Sequence, residues 1–459
     1  MQIRQRRRLL WAALGMVGCV PVTLVHAQEP KPKQEAINLL RQTSQLVNQI
    51  PEPQRMSAAT NIAGRLTAAG DFSTALAMAH SLTRPQDRGS ALTSIAHSLD
   101  YQGRLEEALQ LLGEVDSSQA GSSYSILAKS HADKKDFGVA LQLAHRIQDQ
   151  PARRVEALLA IAKSLWEAEK RDGALSTMQE ALEVAEQARE KEPQMSILLL
   201  GIARTQKEMG MSSESRATLT DYSEFVRQRK DQGGLACLAV ALADMGDTPG
   251  ALEIIEELPE GSNRNSALGT AARNMAKMGN LREALETISR ASDEHTRDVF
   301  LRSIAAQQGQ DAHALSALES VGLVPSIADR ADALATLAAT QAYKGDPAAR
   351  ETIELAWEAA SYAGAHVPEH VFGSIANTRV DLGDMAEAKK ILQRLSPEGR
   401  TWPLWSITTT LAESGDKAGT LALANQDTEP QPKAYALLGT ATGILHRMKA
   451  EAEKEAKNQ

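Results

Sequence analysis

The sequence predicts an all-α protein, an α-solenoid of about eleven stacked helical hairpins with a capping helix at each end. Two observations predict it: a motif that recurs about every 33 residues and a composition poor in aromatic residues. The motif is a glycine, a short polar stretch and an Ala-Leu pair, as in GDFSTALAMA from Gly70, GRLEEALQLL from Gly103 and GNLREALETI from Gly279. Aromatic residues make up 3% of the 459 residues, which favours closely packed helices over β-sandwiches and barrels.

Each glycine, or the residue that replaces it, is the anchor of one repeat, and most anchors follow the previous one after 32 to 34 residues. The anchors are Gly70, Gly103, Lys135, Glu169, Gly210, Gly246, Gly279, Ala312, Gly345, Gly383 and Gly415. Seven residues before them stand Ala63, Ala96, Ala128, Ala162, Ala203, Ala239, Ala272, Ala305, Ala338, Ala376 and Thr408. Five residues after them stand Ala75, Ala108, Ala140, Ala174, Ala251, Ala284, Ala317 and Ala388, with Ser215, Arg350 and Thr420 as departures.

Each repeat has the pattern of a helical hairpin. Upstream of the anchor, apolar residues recur at the i, i+3, i+4, i+7 spacing of an amphipathic helix, as in Leu92, Ile95, Ala96 and Leu99. The anchor suits the left-handed residue that ends a helix, and a following acid or amide suits the N-cap of the next helix. These capping candidates are Asp71, Asp247, Asn280, Asp346, Asp384 and Asp416. One hairpin cannot bury its own apolar stripe, so it must stack on its neighbours.

Over residues 54 to 424, the period, the small residue in the first helix, the turn glycine and the alanine early in the second helix resemble the tetratricopeptide repeat (TPR) family. The resemblance implies a right-handed superhelix whose first helices line a concave groove that binds a protein or peptide. This chain departs from the family pattern, because aliphatic residues mostly replace the family's first-helix Trp and Tyr and its closing proline is mostly missing. A related α-solenoid repeat is therefore the alternative.

Two segments flank the array. Residues 28 to 53 contain a predicted capping helix from Gln34 to Ile50. Residues 425 to 459 contain a predicted unpaired final helix from Lys433 to Arg447, followed by a charged tail that we expect to fray. The longer interval after Glu169 contains EALEVAEQAREKE, which predicts a second helix lengthened by about two turns.

Residues 1 to 27 have the pattern of an export signal: basic RQRRR, an apolar stretch from Leu9 to Val25, and VHA before Gln28. A single membrane helix is the alternative. RRRLL loosely resembles a twin-arginine signal, so the export route stays open, and a lipid anchor at Cys19 is a weaker possibility. We expect the mature protein in the periplasm or cell envelope of a bacterium, or secreted.

Charge and cysteine content limit the mature chain further. The formal charge is −8, and because the first 27 residues carry four arginines and no acid, the rest carries −12. This acidic balance argues against a nucleic-acid partner, which requires a basic surface. Without Cys19, Cys237 is the one cysteine left, so no intrachain disulfide can form.

The resemblance implies that first-helix positions at fixed offsets from the anchor line the groove. These positions form a candidate partner-binding strip along the first helices. Six residues before their anchors stand Lys129, Lys163, Arg204, Arg273 and Asn377, and two residues before theirs stand the acids Asp133, Glu167, Glu208 and Asp244. Alternating cations and carboxylates suit an extended peptide. Ion pairs within each helix at i, i+4 are the structural alternative.

Tryptophan marks a second candidate site. Trp402 and Trp405, in WPLW, fall on the side that the resemblance makes inward, and Trp166 stands three residues before its anchor. Large aromatic residues often anchor a partner. Packing of the pair against the final helix near Tyr435 is the alternative.

An arginine recurs fifteen residues before the anchor, and two interpretations fit it. The arginines are Arg55, Arg88, Arg154, Arg264, Arg297, Arg330 and Arg400. They could grip an acidic ligand, or they could be structural and pair with acids such as Asp87, Asp298 or Asp329. We favour the structural interpretation because the arginines open the first helices.

We predict no catalytic residue, no cofactor and no metal ligand. HVPEH offers His366, Glu369 and His370 in the H-x-x-E-H order of one zinc-peptidase class, but Pro368 places the motif at a helix start. Cys237, in LACLAVAL, is expected to be a small buried hydrophobe. The sequence thus predicts a non-catalytic scaffold that binds a protein or extended peptide, with an envelope accessory factor as the alternative and a metal-dependent hydrolase less favoured.

Overall fold

The computed structural model describes residues 31 to 458, except 53, 311–317, 319–320 and 325. All regular structure in these residues is helical. The α-helices are α1 (Lys31–Leu46), α2 (Gln54–Ala69), α3 (Phe72–Ser81), α4 (Pro85–Tyr101), α5 (Leu105–Leu112), α6 (Ser117–Asp133), α7 (Phe137–His145), α8 (Pro151–Glu167), α9 (Arg171–Lys191), α10 (Leu198–Glu208), α11 (Ser212–Gln228), α12 (Gln232–Asp244), α13 (Thr248–Glu257), α14 (Ser262–Lys277), α15 (Leu281–Ser289), α16 (Glu294–Gln310), α17 (Ile327–Lys344), α18 (Ala349–Ala363), α19 (Glu369–Asp381), α20 (Met385–Leu392), α21 (Pro397–Ser414), α22 (Lys417–Gln426) and α23 (Pro430–Asn458). Short 3-10 turns lie at Val47–Gln49, Pro193–Ile197 and Gly364–His366. The export signal predicted over residues 1 to 27 lies outside the described residues.

The chain divides into two compact units. One runs from Arg84 to Ile304, and the other joins the residues up to Thr83 with those from Ala305 onward. Within each unit the helices pair in chain order into hairpins, and the first helix of a hairpin also packs on the first helix of the next, as α6 does on α8 and α17 on α19. This arrangement confirms the predicted all-α solenoid.

The anchor residues make the predicted left-handed turns. Every described anchor has a positive φ, including Lys135 at 64° and Glu169 at 62°, while Ala312 lies outside the described residues. At Gly103 the turn carries both bonds of a Schellman motif: the Gly103 N–H donates to the Asp100 carbonyl at 2.8 Å, and the Arg104 N–H donates to the Leu99 carbonyl at 2.9 Å. The anchors were therefore correctly assigned even where glycine is absent.

The two alanine positions lie where the helices of a hairpin cross. Ten of the residues seven before an anchor, all except Ala305, are fully buried. Ser215, which replaces the alanine of the second helix, donates its hydroxyl to the Ala203 carbonyl at 2.7 Å and so joins the two positions directly. Where Arg350 departs from the pattern it is exposed, and Ala349 is buried in its place.

The predicted N-caps form in part. Asp71, Asp247 and Asp416 accept backbone N–H groups of the second helices. Asp346 is not an N-cap: Ala348 is the N-cap of α18, and its N–H donates to Asp346 at 3.0 Å. Asn280 and Asp384 occupy the N-cap position, but their side chains make no capping bond. The Asp384 carboxylate instead accepts a hydrogen bond from the buried Arg379 at 2.8 Å, a charge-assisted contact that outcompetes the cap.

The lengthened second helix after Glu169 is observed as α9, which has 21 residues. The capping helix predicted over Gln34 to Ile50 is α1 followed by the 3-10 turn Val47–Gln49. The charged tail does not fray as expected, since α23 stays helical to Asn458. Ion pairs at i, i+4, Arg447 with Glu451 and Lys449 with Glu453, support its last turns.

The prediction of an unpaired final helix is wrong. Helix α23 packs against α21 on one side and against α1 on another. A Cβ at Gly439 would come within 2.5 Å of the Trp405 carbonyl oxygen, so the crossing with α21 requires glycine. Leu437 and Ala441 stand 33 residues after Leu404 and Thr408 and are buried like them. Helix α23 therefore acts as the first helix of a further hairpin, and α1 supplies the second.

Substitutions at the anchors test whether these residues adopt the left-handed conformation that ends each first helix. Glu169→Gly should raise the free energy of unfolding by about 1 kcal/mol, because an L-residue is strained at this φ. Gly246→Ala should lower it by about the same amount, although no atom lies within 4 Å of the added Cβ. Gly138→Ala, in helical backbone with equal space, is the control and should not destabilise. Urea unfolding measures all three, and equal effects of Gly246→Ala and Gly138→Ala would contradict the turn assignment.

Candidate functional site: the first-helix strip and the aromatic cluster

Four cations of the predicted strip lie on first helices of the Arg84–Ile304 unit. Lys129, Lys163 and Arg273 have side chains 34%, 47% and 38% exposed, and Arg204 is also exposed. Asn377 lies in the other unit, half-buried, with its Oδ1 buried and without a hydrogen-bond partner. The assignment of these residues to a concave groove, and to partner binding, stays a prediction.

The cations pair between hairpins more than within helices. Lys129 Nζ lies 2.7 Å from Glu156 Oε1 on α8, and Lys163 Nζ lies 2.6 Å from Glu208 Oε2 on α10. Arg273 reaches back to Asp244 on α12, with 3.9 Å between Nη2 and Oδ1. The row of charges is therefore a set of cross-hairpin pairs, and the proposed alternative of simple i, i+4 pairs does not describe these three contacts.

The electrostatics centre on Lys163. Its hydrogen bond to Glu208 raises the pKa of Lys163, with partial burial opposing, Glu208 and Glu167 adding attraction, and the neighbouring Arg204 opposing by like-charge repulsion. Because these groups are half-exposed, each pair contributes little to stability. A partner with its own charges could therefore exchange for them at low cost.

Two further residues belong to the strip and were not predicted from the sequence. Glu156 on α8 also accepts from Arg153 at 3.0 Å, which makes it a shared acceptor for two cations. His97 stands six residues before Gly103, the same register as Lys129, and its Nε2 is buried without a partner. The register was readable from the sequence for His97, whereas Glu156 could be found only through a contact 27 residues away.

The candidate aromatic residues are partly used by the fold. The Arg171 guanidinium lies 3.7 Å from the centre of the Trp166 ring, so its own hairpin turn covers that ring. Trp402 makes edge-to-face contacts with Trp405 at 6.1 Å and with Tyr435 at 5.2 Å between ring centroids. The contact with the final helix is therefore present, yet Trp402 remains 50% exposed.

Most of the recurring arginines donate hydrogen bonds to backbone carbonyls of the connecting segment that precedes their helix. Arg264, Arg297 and Arg330 each donate to the carbonyl oxygen six residues earlier, at 3.0, 2.6 and 2.9 Å, and Arg55 donates to the Ile50 carbonyl at 2.9 Å. Arg154 and Arg400 pair instead with Glu180 and Asp427 of the following second helix and its end. These contacts support the structural interpretation.

Removal of one such arginine should therefore destabilise the fold. Arg297→Ala leaves the carbonyl of the buried Ala291 without its side-chain donor and should lower the free energy of unfolding by about 1 kcal/mol. Arg282→Ala, at an exposed position of α15, is the control and should change it by less than about 0.5 kcal/mol. Urea unfolding compares the two. An unchanged stability of Arg297→Ala would reopen the ligand-gripping interpretation.

The H-x-x-E-H residues do not converge. His366 ends a 3-10 turn, Pro368 is the N-cap of α19, and the Glu369 carboxylate accepts from the Ser396 hydroxyl at 2.7 Å. His370 Nε2 lies 3.7 Å from Asp332 Oδ1. Within the described ranges, no three His, Cys, Asp or Glu side chains are arranged to hold a metal ion.

Cys237 is only partly buried, and burial raises the pKa of its thiol.

No protein-family model and no curated protein matches the sequence. Among solved structures, the pentatricopeptide repeat protein PPR10 from maize matches at 13% identity over 94% of this chain and 69% of its own, with a TM-score of 0.30. Naa15/Naa10 bound to HypK-THB matches at 16% identity over 91% and 75%, with a TM-score of 0.26. Ton1535 from Thermococcus onnurineus NA1 matches at 20% identity over 66% and 98%, with a TM-score of 0.22.

TM-scores this low carry no inference about function. The class of protein follows from the chain itself: tandem helical hairpins, left-handed anchors and alanine crossings define a helical-repeat solenoid with a tetratricopeptide-like pattern. No helix in the described part of the chain is both long enough and apolar enough to cross a membrane.

His97 gives the strip a measurable pH dependence. Burial lowers the pKa of His97, while a hydrogen bond with Ser123 and the charge of Asp100 oppose the shift. The folded protein therefore keeps this imidazole neutral where the unfolded chain binds a proton. Its contribution to stability is complete above the unfolded pKa of about 6.5 and is lost as the pH falls through that value.

His97→Gln should accordingly make stability decline less steeply between about pH 7.5 and about pH 5. Urea unfolding at several pH values measures the slope. An identical slope for His97→Gln and wild type would show that His97 does not titrate as described.

Proposed function

We propose that this protein is an exported, non-catalytic scaffold that holds another protein or an extended peptide along its first helices. The observation that carries the proposal is the row of half-exposed cross-hairpin pairs, Lys129–Glu156, Lys163–Glu208 and Arg273–Asp244. Such pairs are weak in water, yet they repeat along neighbouring hairpins at the sites where a chain laid across them would meet alternating charge. Affinity would come from many modest contacts.

The location rests on the sequence alone. The basic start, the apolar stretch and the VHA triplet before Gln28 favour export to the periplasm or cell envelope, or secretion. The charge of −12 beyond residue 27 favours a protein over a nucleic acid as partner. The alternative function, a lipid-anchored accessory factor in envelope-polymer export or outer-membrane assembly, requires modification at Cys19. Mass spectrometry of the mature N-terminus distinguishes the two.

The strip is tested by reversing its central charges. Lys163→Glu with Arg204→Glu should abolish partner capture, because it reverses two cations of the strip that would attract the carboxylates of a bound peptide, while helical circular dichroism is retained. The immobilised mature chain is exposed to an extract of its native host, and retained proteins are quantified by mass spectrometry. Arg146→Glu with Lys191→Glu, two exposed cations of the same unit away from the strip, is the matched control.

We expect the proteins enriched by wild type to be retained by the control and lost from the strip variant. Equal retention by both variants would rule out the strip. Loss from both would point to non-specific charge attraction.

A further inference from the structure

The hairpin formed by α23 and α1 differs from the others that the structure describes. In those, a left-handed turn of a few residues joins the two helices, whereas α23 and α1 are the last and first described helices of the chain. The peptide chain joins helix α1 to the rest only through the Val47–Gln49 turn and the residues up to Gln54, and α1 also packs on α2 and α3. It can therefore leave α23 without disturbing any turn between paired helices.

The surface that α1 covers is apolar. Helix α1 has 16 residues and buries Ala36, Ile37, Leu39, Leu40 and Thr43. Residues 434 to 438 of α23 are all buried, and α21, α1, α22 and α2 pack on that helix. Helix α1 makes the most extensive of these contacts after α21, so it supplies much of the burial that an apolar helix surface needs.

Ion pairs on both sides of the α1–α23 contact fix the direction in which α1 lies. Glu35, near the start of α1, pairs with Lys417 of α22. Arg41 lies about a turn and a half later, and its Nε donates to Asp71 Oδ2 at 2.7 Å. The Asp71 side chain is 4% exposed and is held by this bond as well as by capping α3. A helix that binds this surface of α23 therefore needs an acid (Glu35 in α1), then a small and a large apolar residue (Ala36 and Ile37), and then a base (Arg41).

We propose that α23, bordered by Lys417 and Asp71, is a helix-binding site that α1 occupies within its own chain and that α1 of a second copy occupies between chains. The second copy is the partner because α1 is the helix whose fit to this surface is present in the structure. Exchange of an identical element between copies reuses the contacts already made. The site involves neither the strip of the proposed function nor the unit that carries most of it.

The first experiment opens the connection and keeps every residue. A site for a specific protease is inserted between Pro51 and Gln54 of the mature chain, and the chain is cut. A fluorescent peptide of residues 31 to 50 is then titrated and followed by anisotropy. The cut chain should bind the peptide, and the uncut chain should bind it at least about tenfold more weakly, because its tethered α1 competes at high effective concentration.

Variant peptides test the contacts. Ile37→Asp should weaken binding at least about 100-fold, because it places a charge in the apolar surface. Glu35→Lys should weaken it by about threefold, as expected for an exposed pair, and Lys417→Glu in the cut chain should restore it. No binding by the wild-type peptide, or equal binding by the Ile37→Asp peptide, overturns the proposal. So does a loss of cooperative thermal unfolding once α1 has been removed, since α1 would then be an inseparable part of the core.

The second experiment tests the partner. Two uncut full-length copies that carry different tags are incubated together. One copy is captured by its tag, and the other copy is detected among the captured protein. Recovery that disappears when both copies carry Ile37→Asp supports exchange between copies. Absence of recovery, or recovery that survives Ile37→Asp, overturns the assignment of a second copy as the occupant.

Discussion

Close approach of two helices at a pair of small residues is the constraint on which the rest of the fold depends. All the residues seven before an anchor except Ala305 are fully buried in the structure, and the facing position on the second helix is alanine, serine or threonine in nearly every repeat. The serine at 215 bonds straight to the Ala203 carbonyl, which shows how near the backbones lie. A larger side chain here would separate the helices and tilt each hairpin against the next.

This constraint explains why the architecture was readable from the sequence. Periodic alanines and anchors report a local geometry that recurs in every hairpin, and even Lys135 and Glu169 adopt the glycine conformation because the surrounding turn imposes it. The N-caps were less predictable. At Asp384, buried Arg379 captures the carboxylate that would otherwise cap α20, and its bonds to Glu354 and Asp384 outweigh burial and raise the pKa of Arg379.

Contacts between distant parts of the chain could not be predicted in the same way. The pairing of α1 with α23 joins segments about 400 residues apart, and no local pattern specifies it. The charge pairs of the strip are similar: their register could be read from the repeat, but Lys163 meets Glu208 because α8 and α10 are neighbours and not because of their spacing in the chain. Exposed side chains choose partners by tertiary proximity, which periodicity does not encode.

The two candidate surfaces consequently have different physical characters. The strip is polar, half-exposed and built from weak pairs that a partner could replace, whereas the α1–α23 contact is apolar, buried and fixed in direction by a charge at each border. The most direct test of the common constraint is the free energy of unfolding of Ala162→Leu against Ala217→Leu, which is exposed on α11. We expect a loss of about 1 to 3 kcal/mol for Ala162→Leu and a change within about 0.5 kcal/mol for Ala217→Leu. Equal effects of the two substitutions would show that the helices do not cross at these alanines.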